Sequence, residues 1–195
     1  MARPAKFTED QIMDATLGLV SEGGPNAATI AGIAEALGAP VGSIYHRFGS
    51  RDLLLARLWI RTIKRFQKGF LEALDQEDLD QAALGAALHT IDWPRRHLAE
   101  ARVMLLYRRE DLAARWPEAL GGELTLLNST VVAAVSEHAR RRYGTADGED
   151  LRRVVFALVD VPYAAGRRHL VANEVPPPWL DDLVLATCRC VLDLN

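Results

Sequence analysis

The sequence predicts an all-α protein, and three observations predict it. Apolar residues recur at i, i+3 and i+4 spacing along nearly the whole chain. No segment alternates apolar and polar residues as a half-buried strand does. Glycine and proline gather at a few points that divide the helical runs. The chain has 195 residues, 49% of them hydrophobic, so it can bury a proper core and general disorder is excluded.

Thr8 followed by Gln11 is a capping-box pattern that opens a first helix. Ile12, Ala15, Leu19 and Val20 make its apolar stripe, and Gly23-Gly24-Pro25 ends it. Thr29 is the N-cap of a second helix whose face is Ile30, Ile33, Ala34 and Leu37. Gly38 stands where a helix closes on a left-handed residue, and Pro40 forbids simple continuation. A third helix restarts from Val41 to Phe48. Ile44 and Phe48 lie four apart and face the second helix, which pushes Gly42, Ser43, Tyr45, His46 and Arg47 outward. Two short helices joined by a tight turn form a helix-turn-helix, and its second helix is the candidate reader of a DNA major groove. Ser50 caps a fourth helix from about Arg51 into the seventies, with Leu54, Leu58, Ile63 and Phe66 on its apolar side.

The remainder also reads as helix. DLDQAALGAALHTI is one, and Asp92-Trp93-Pro94 is read as the start of another, with proline near its first position, ending near Arg108. One long helix is expected from about Pro117 to Tyr143, and Gly144 and Gly148 bracket the next connection. A further long helix covers about Glu149 to Val171, where Pro162 should kink it. Pro176-Pro177-Pro178 separates it from a last helix, Trp179 to Leu194. No repeat or low-complexity segment is present.

The net charge of −3 divides unevenly: residues 1–68 carry +3 and the rest −6, as suits a DNA-binding part on an acidic body. MARPAKFTED has no apolar segment and does not read as a secretory signal. No apolar run is expected to reach membrane-span length, since Asp160 interrupts VVFALVDVPYAAG. Cys188 and Cys190, two apart on a helix, point to nearly opposite faces, and no His or further Cys completes a metal site. They read as free thiols in a reducing cytoplasm. Neither a cofactor nor a metal is called for.

From Thr8 to Leu58 the chain resembles the TetR (tetracycline-repressor-like) family of one-component transcriptional regulators. The residues that carry the resemblance are the opening helix, Thr29-Ile30, Ile33-Ala34, Leu37-Gly38 and, above all, GSIYHRF followed by SRDLLL. Over residues 59–195 it is architectural only. The resemblance implies a helix-turn-helix DNA-binding domain at 1–51 and a helical ligand-binding and dimerisation domain at 52–195. It implies a homodimer on a palindromic double-stranded operator, released as a repressor is when a small molecule binds, and a cytoplasmic protein. Carried over by position, Ser43 and Tyr45 contact bases or backbone. Thr29, His46 and Arg51 contact phosphates, and Arg47 a phosphate or a base edge. Gly42 allows close approach.

There are departures. Pro40 replaces the usual Ser or Thr cap of the reader, and Val41 replaces a polar base-reading residue, leaving contact with a thymine methyl. Ala31 and Gly32 stand where basic residues are common, and Arg3 and Lys6 on the leading arm are expected to compensate.

The C-terminal part offers candidate pocket walls that mix apolar bulk with polar tips. They are Trp59, Ile63 and Phe66 on the connecting helix, His89, Trp93, Met104, Tyr107 and Leu127 on the middle helices, and Phe156, Asp160 and Tyr163 on the kinked helix. A small, mostly apolar guest follows. Asp160 serves either as a pocket group or as a partner for an Arg or His across a dimer interface. The stripes Leu180, Leu183, Val184, Val191, Leu192 and Leu158, Val161, Ala165 are expected to form a dimer bundle, the alternative being that they fill the monomer core. The pairs Arg95-Arg96, Arg108-Arg109, Arg140 to Arg142, Arg152-Arg153 and Arg167-Arg168 read as solvated faces. No HExxH, GxSxG, GxGxxG or P-loop occurs, and pairs such as His89/Asp92 or His97/Glu100 are common by chance, so an enzyme is not expected. The alternatives kept are a helical DNA-binding protein without ligand sensing and an all-helical enzyme.

Overall fold

The computed structural model describes residues 7–144 and 148–193; Arg3 and Lys6 of the expected basic arm lie outside them. Helix α1 (Glu9–Gly23) opens on the expected capping box: Gln11 N–H donates to Thr8 Oγ1 at 3.2 Å and Thr8 N–H to Gln11 Oε1 at 2.8 Å. A short 3₁₀ turn at Pro25–Ala27 leads into α2 (Ile30–Leu37) and α3 (Val41–Phe48). Helix α4 (Arg51–Leu74) then runs from this head into the body.

The body begins with α5 (Leu79–Arg96) and α6 (Leu98–Met104). Pro94 lies inside α5 rather than opening a new helix. It removes only one backbone donor, and with Trp93 and Pro94 both buried the helix continues for another half-turn. A separate short α7 (Arg109–Arg115) precedes α8 (Pro117–Leu126) and α9 (Ser129–Tyr143). The long helix expected from Pro117 to Tyr143 is thus broken at Leu127-Asn128. An 18-residue window within Pro117–Tyr143 reaches a mean hydropathy of 1.2, enough for a membrane span by length and composition only, in a stretch that the break at Leu127-Asn128 divides.

The kink expected at Pro162 takes the form of a π turn. Helix α10 (Gly148–Val155) passes through the π turn Phe156–Asp160, where Val161 N–H reaches back to Phe156 O, into α11 (Val161–Val171). Helix α12 (Leu180–Leu192) closes the body.

One hydrophobic cluster joins Ile12, Ile33, Ile44 and Phe48 of the head to Leu54 and Leu58 of α4, Val103 of α6, Leu112 of α7 and Leu120 and Leu124 of α8. A second, built on Ala82–Ala87 and Ile91 of α5, takes in Val135, Leu158, Leu180, Val184, Cys188 and Leu192. Leu158, Leu180, Val184 and Leu192 are therefore monomer core and not dimer stripe, because α12 and the π turn both lie on α5. Leu183, 57% exposed, is what α12 leaves outside, beside Trp179 at its start.

Two of the arginines expected on solvated faces are anchors. Arg95 donates bidentately to Asp181 at 2.6 and 3.0 Å and to the carbonyls of Pro176 and Pro177, both at 2.8 Å, which fastens the triproline link to α5. Arg142 donates to Asp80 at 2.7 Å and to Leu192 O at 3.2 Å, tying the ends of α5, α9 and α12.

Candidate nucleic-acid interface and ligand pocket

The turn between α2 and α3 follows from three residues. Gly38 takes the left-handed conformation at φ 61°, which lets Ala39 N–H reach back to Ala34 O at 2.9 Å. Pro40 then starts α3 without a side-chain cap. Ser43 donates both its N–H, at 2.9 Å, and its Oγ, at 2.7 Å, to Pro40 O, and no side chain accepts from the first-turn N–H groups. Ile44 and Phe48 are fully buried and fix the roll of α3. That roll leaves Val41, Gly42, Tyr45 and His46 on one exposed face, with Ser43 and Arg47 half-buried at its sides. Tyr45 keeps half of its surface in solvent. A Cβ on Gly42 would meet nothing within 4 Å, so no contact within the chain requires glycine there.

Two of the expected phosphate contacts are also structural. Thr29 Oγ1 accepts from Gly32 N–H at 3.0 Å and caps α2. Arg51 Nε donates to Ala28 O at 2.7 Å and its Nη2 to Pro25 O, so the guanidinium clamps the loop ahead of α2. Arg47 Nη1 folds back to Ser43 O at 3.0 Å, which steadies the last turn of α3.

In the body, α4, α5, α6, α11 and Val159 of the π turn line a partly open cavity of about 110 Å³. Its walls include Phe66, Phe70, Thr90, Trp93, Ala101, Met104, Leu105, Tyr163, Gly166 and Leu170, with Arg167 alongside. Thr90 Oγ1 donates to Ala86 O, leaving a lining that is almost wholly apolar. Trp93 meets Phe66 edge-on at 5.5 Å.

Of the residues proposed from sequence as pocket walls, Phe66, Trp93, Met104 and Tyr163 come together here. Trp59 stands beside the cavity and donates from Nε1 to Met104 O at 3.1 Å. Ile63, Tyr107 and Leu127 belong instead to the cluster shared with the head. Burial, with the nearby Asp52 carboxylate, pushes the Tyr107 hydroxyl above its ordinary pKa. His89 joins α4 to α5: its ring lies 5.1 Å from that of Phe66, and Nε2 donates to Phe66 O at 2.9 Å. Burial holds its pKa below the ordinary value, partly offset by that carbonyl. Phe156 and Asp160 face outward, along a surface groove with Arg152 and Val191, because the π turn rotates them off the body.

Sequence reasoning missed Phe70 and Thr90 as well as Ala101, Leu105, Gly166 and Leu170. Small and aliphatic wall residues carry no chemical signature, and a Cβ at Gly166 would make only ordinary contact with Ile91 at 3.5 Å.

A second, open cleft of about 400 Å³ lies on the other side of α4, between Leu71 and His138 of α9, with Lys68, Glu72, Asp75, Glu137 and Arg141 about it. Burial, reinforced by Arg142 and Arg141, lowers the His138 pKa to about 4. His97 Nδ1, in turn, lies 3.1 Å from the buried Glu100 carboxylate at the α5–α6 junction.

Residues 12–58 match the family model of bacterial regulatory proteins, tetR family. No curated protein matches the sequence. Among solved structures, a transcriptional regulator from a Rhodococcus species is similar over 96% of this chain and 97% of its own, with a TM-score of 0.76 and 17% identity. The fatty acid degradation regulator of Bacillus halodurans superposes with a TM-score of 0.67 at 15% identity, over 95% of this chain and 98% of its own. The ketosteroid transcriptional regulator of Mycobacterium tuberculosis does so with a TM-score of 0.62 at 16% identity, over 98% and 96%. The head thus matches the tetR family of bacterial regulatory proteins over residues 12–58, and the chain over its length has the fold of these solved regulators.

Proposed function

We propose that the chain is a cytoplasmic, ligand-responsive regulator, acting as a repressor. It binds a palindromic operator as a homodimer through α3 and leaves it when a small, mostly apolar molecule enters the cavity among α4, α5, α6 and α11. Domain limits at 1–51 and 52–195 describe the division of labour. Val41, Gly42, Ser43, Tyr45 and His46 read the groove and its edges, with Thr29, Arg47 and Arg51 beside the backbone.

The observation that carries the reading is the double duty of α6. Ala101 and Met104 face the cavity, while Val103 between them is buried in the head's own cluster. Trp59 of α4 is hydrogen-bonded to the Met104 carbonyl. A guest that moves α6 therefore moves the helix that carries the head. Tenfold release needs about 1.4 kcal/mol of difference in guest binding between the two states, which a few buried apolar groups can supply. The outward Leu183, Trp179, Phe156 and Val171 support pairing of copies through the α11–α12 side.

The test couples two measurements. A duplex is selected from a randomised pool by the full chain, and apolar small molecules are screened by thermal shift. A guest present at about 100 times its Kd stabilises by about 2.7 kcal/mol. Stabilising molecules should weaken binding to the selected duplex in a gel shift, and Ala101→Phe, which fills the cavity, should abolish both effects while DNA still binds. A stabilising guest that leaves DNA affinity unchanged would refute ligand release.

A further inference from the structure

The head of this regulator is completed by an arginine from the body. Leu112 of α7 is 1% exposed and packs, with Ala113 and Trp116, into the cluster that holds Ile33, Ile44 and Phe48. This seats α7 against the first turn of α4. There Arg115 Nη2 donates to Asp52 Oδ2 at 2.6 Å, and the guanidinium lies 4.6 Å from the Trp116 ring centroid. Both contacts fix the direction of the side chain, yet 58% of its surface stays in solvent. The other oxygen of Asp52, Oδ1, is 3.4 Å from Arg51 Nη1. One carboxylate thus stands between two guanidiniums, leaving a net positive charge at the start of α4. Arg51 is the less available of the two, since two of its nitrogens already serve the carbonyls of Pro25 and Ala28.

Helix α4 begins three residues after α3 ends. A major groove is only about 12 Å wide, so with α3 in the groove the first turn of α4 stands at its edge, where the phosphates run. We propose that Arg115 is a phosphate contact of the DNA-bound state. Asp52 and Trp116 aim its planar fork, and the N–H groups that Asp52 does not use meet a backbone phosphate. The contact rests on the reading of α3 as the DNA-reading helix. It also places a DNA-binding group on the segment that directly follows α6, so movement of the cavity wall acts on the grip as well as on the tilt of α4.

The experiment is equilibrium binding of the full chain to its selected duplex between about 50 and about 200 mM salt. For Arg115→Gln the slope of log affinity against log salt should become shallower by about 0.9 per bound protomer, with the same loss on a scrambled duplex. Arg115→Lys should keep that slope because it keeps the charge, and Arg140→Gln, on the exposed side of α9, should match the unsubstituted chain. An unchanged slope for Arg115→Gln overturns the proposal. So does an affinity loss shared by Arg115→Lys with neither slope altered, which assigns Arg115 to packing. If the unsubstituted chain selects no duplex, the reading of α3 fails and the proposal with it.

Discussion

Replacing Gly69 by alanine forces His89 to move. A Cβ at Gly69 would lie 2.3 Å from Cε1 of His89, 3.0 Å from Nδ1 and 3.1 Å from Nε2, so no small adjustment of the ring relieves it. Displacement gives up the bond from Nε2 to Phe66 O, worth about 1 kcal/mol net. It also gives up the ring contact with Phe66, worth about 0.5–1.5 kcal/mol. Against this, alanine in a helix interior is favoured over glycine by about 0.8–1.0 kcal/mol. Gly69→Ala is therefore expected to destabilise by about 1 kcal/mol and to lower Tm by about 2–4 °C for a chain of this length. In a His89→Ala background the obstruction is gone, and the same change should stabilise by about 0.9 kcal/mol. The coupling between the two sites is then about 2 kcal/mol, read from urea unfolding of the four chains by circular dichroism. Stabilisation by Gly69→Ala alone, or a coupling under about 0.5 kcal/mol, would refute the reasoning.

Three further outcomes are expected. His138 is neutral and buried with its pKa near 4, whereas the unfolded chain binds a proton below about 6.5. Stability is therefore full above pH 6.5 and falls by about 3 kcal/mol as pH drops to about 4. His138→Gln should flatten that part of the pH–stability curve, and an unchanged curve would assign the loss to other groups. Leu183→Glu, on the exposed side of α12, should convert a dimer to a monomer in light scattering without unfolding it; a persistent dimer would exclude this face. Arg51→Ala should lower stability by about 1 kcal/mol through the carbonyls of Pro25 and Ala28, in addition to weakening DNA binding. A variant with unchanged Tm and weaker binding would give Arg51 to DNA alone.

The head was legible because its signals are local. A capping box, a left-handed glycine, a proline and an i, i+4 pair of apolar residues each act within a few residues, and together they set which side of α3 faces out. The body was legible as helix but not as a surface. Nothing in its periodicity distinguishes a stripe that packs on α5 from one that waits for a second copy, so Leu180, Val184 and Leu192 read as dimer residues although they are core. Pro94 misled for a related reason. Proline marks a helix start only when the preceding turn has no other support, and here buried Trp93 supplies it. Pocket walls depend on helix crossings distant in sequence, which explains why Phe66 and Trp93 were found and Ala101 and Gly166 were not. The same limit hid Arg115, whose meaning comes from Asp52, 63 residues away.

The head's cluster has a consequence for anyone who would exchange operator specificity between such proteins. Ile33, Ile44 and Phe48 share their interior with Val103, Leu112, Leu120 and Leu124. A graft cut after residue 51 would set one protein's head on another's α6–α8 floor, and mismatched volumes there are felt methylene by methylene. A transplant that keeps its fold must carry those floor residues along with α3. Conversely, a chance substitution on the floor alters the seat of α3 without touching its exposed face, so the proposed DNA reading has a route to drift through packing rather than through contacts.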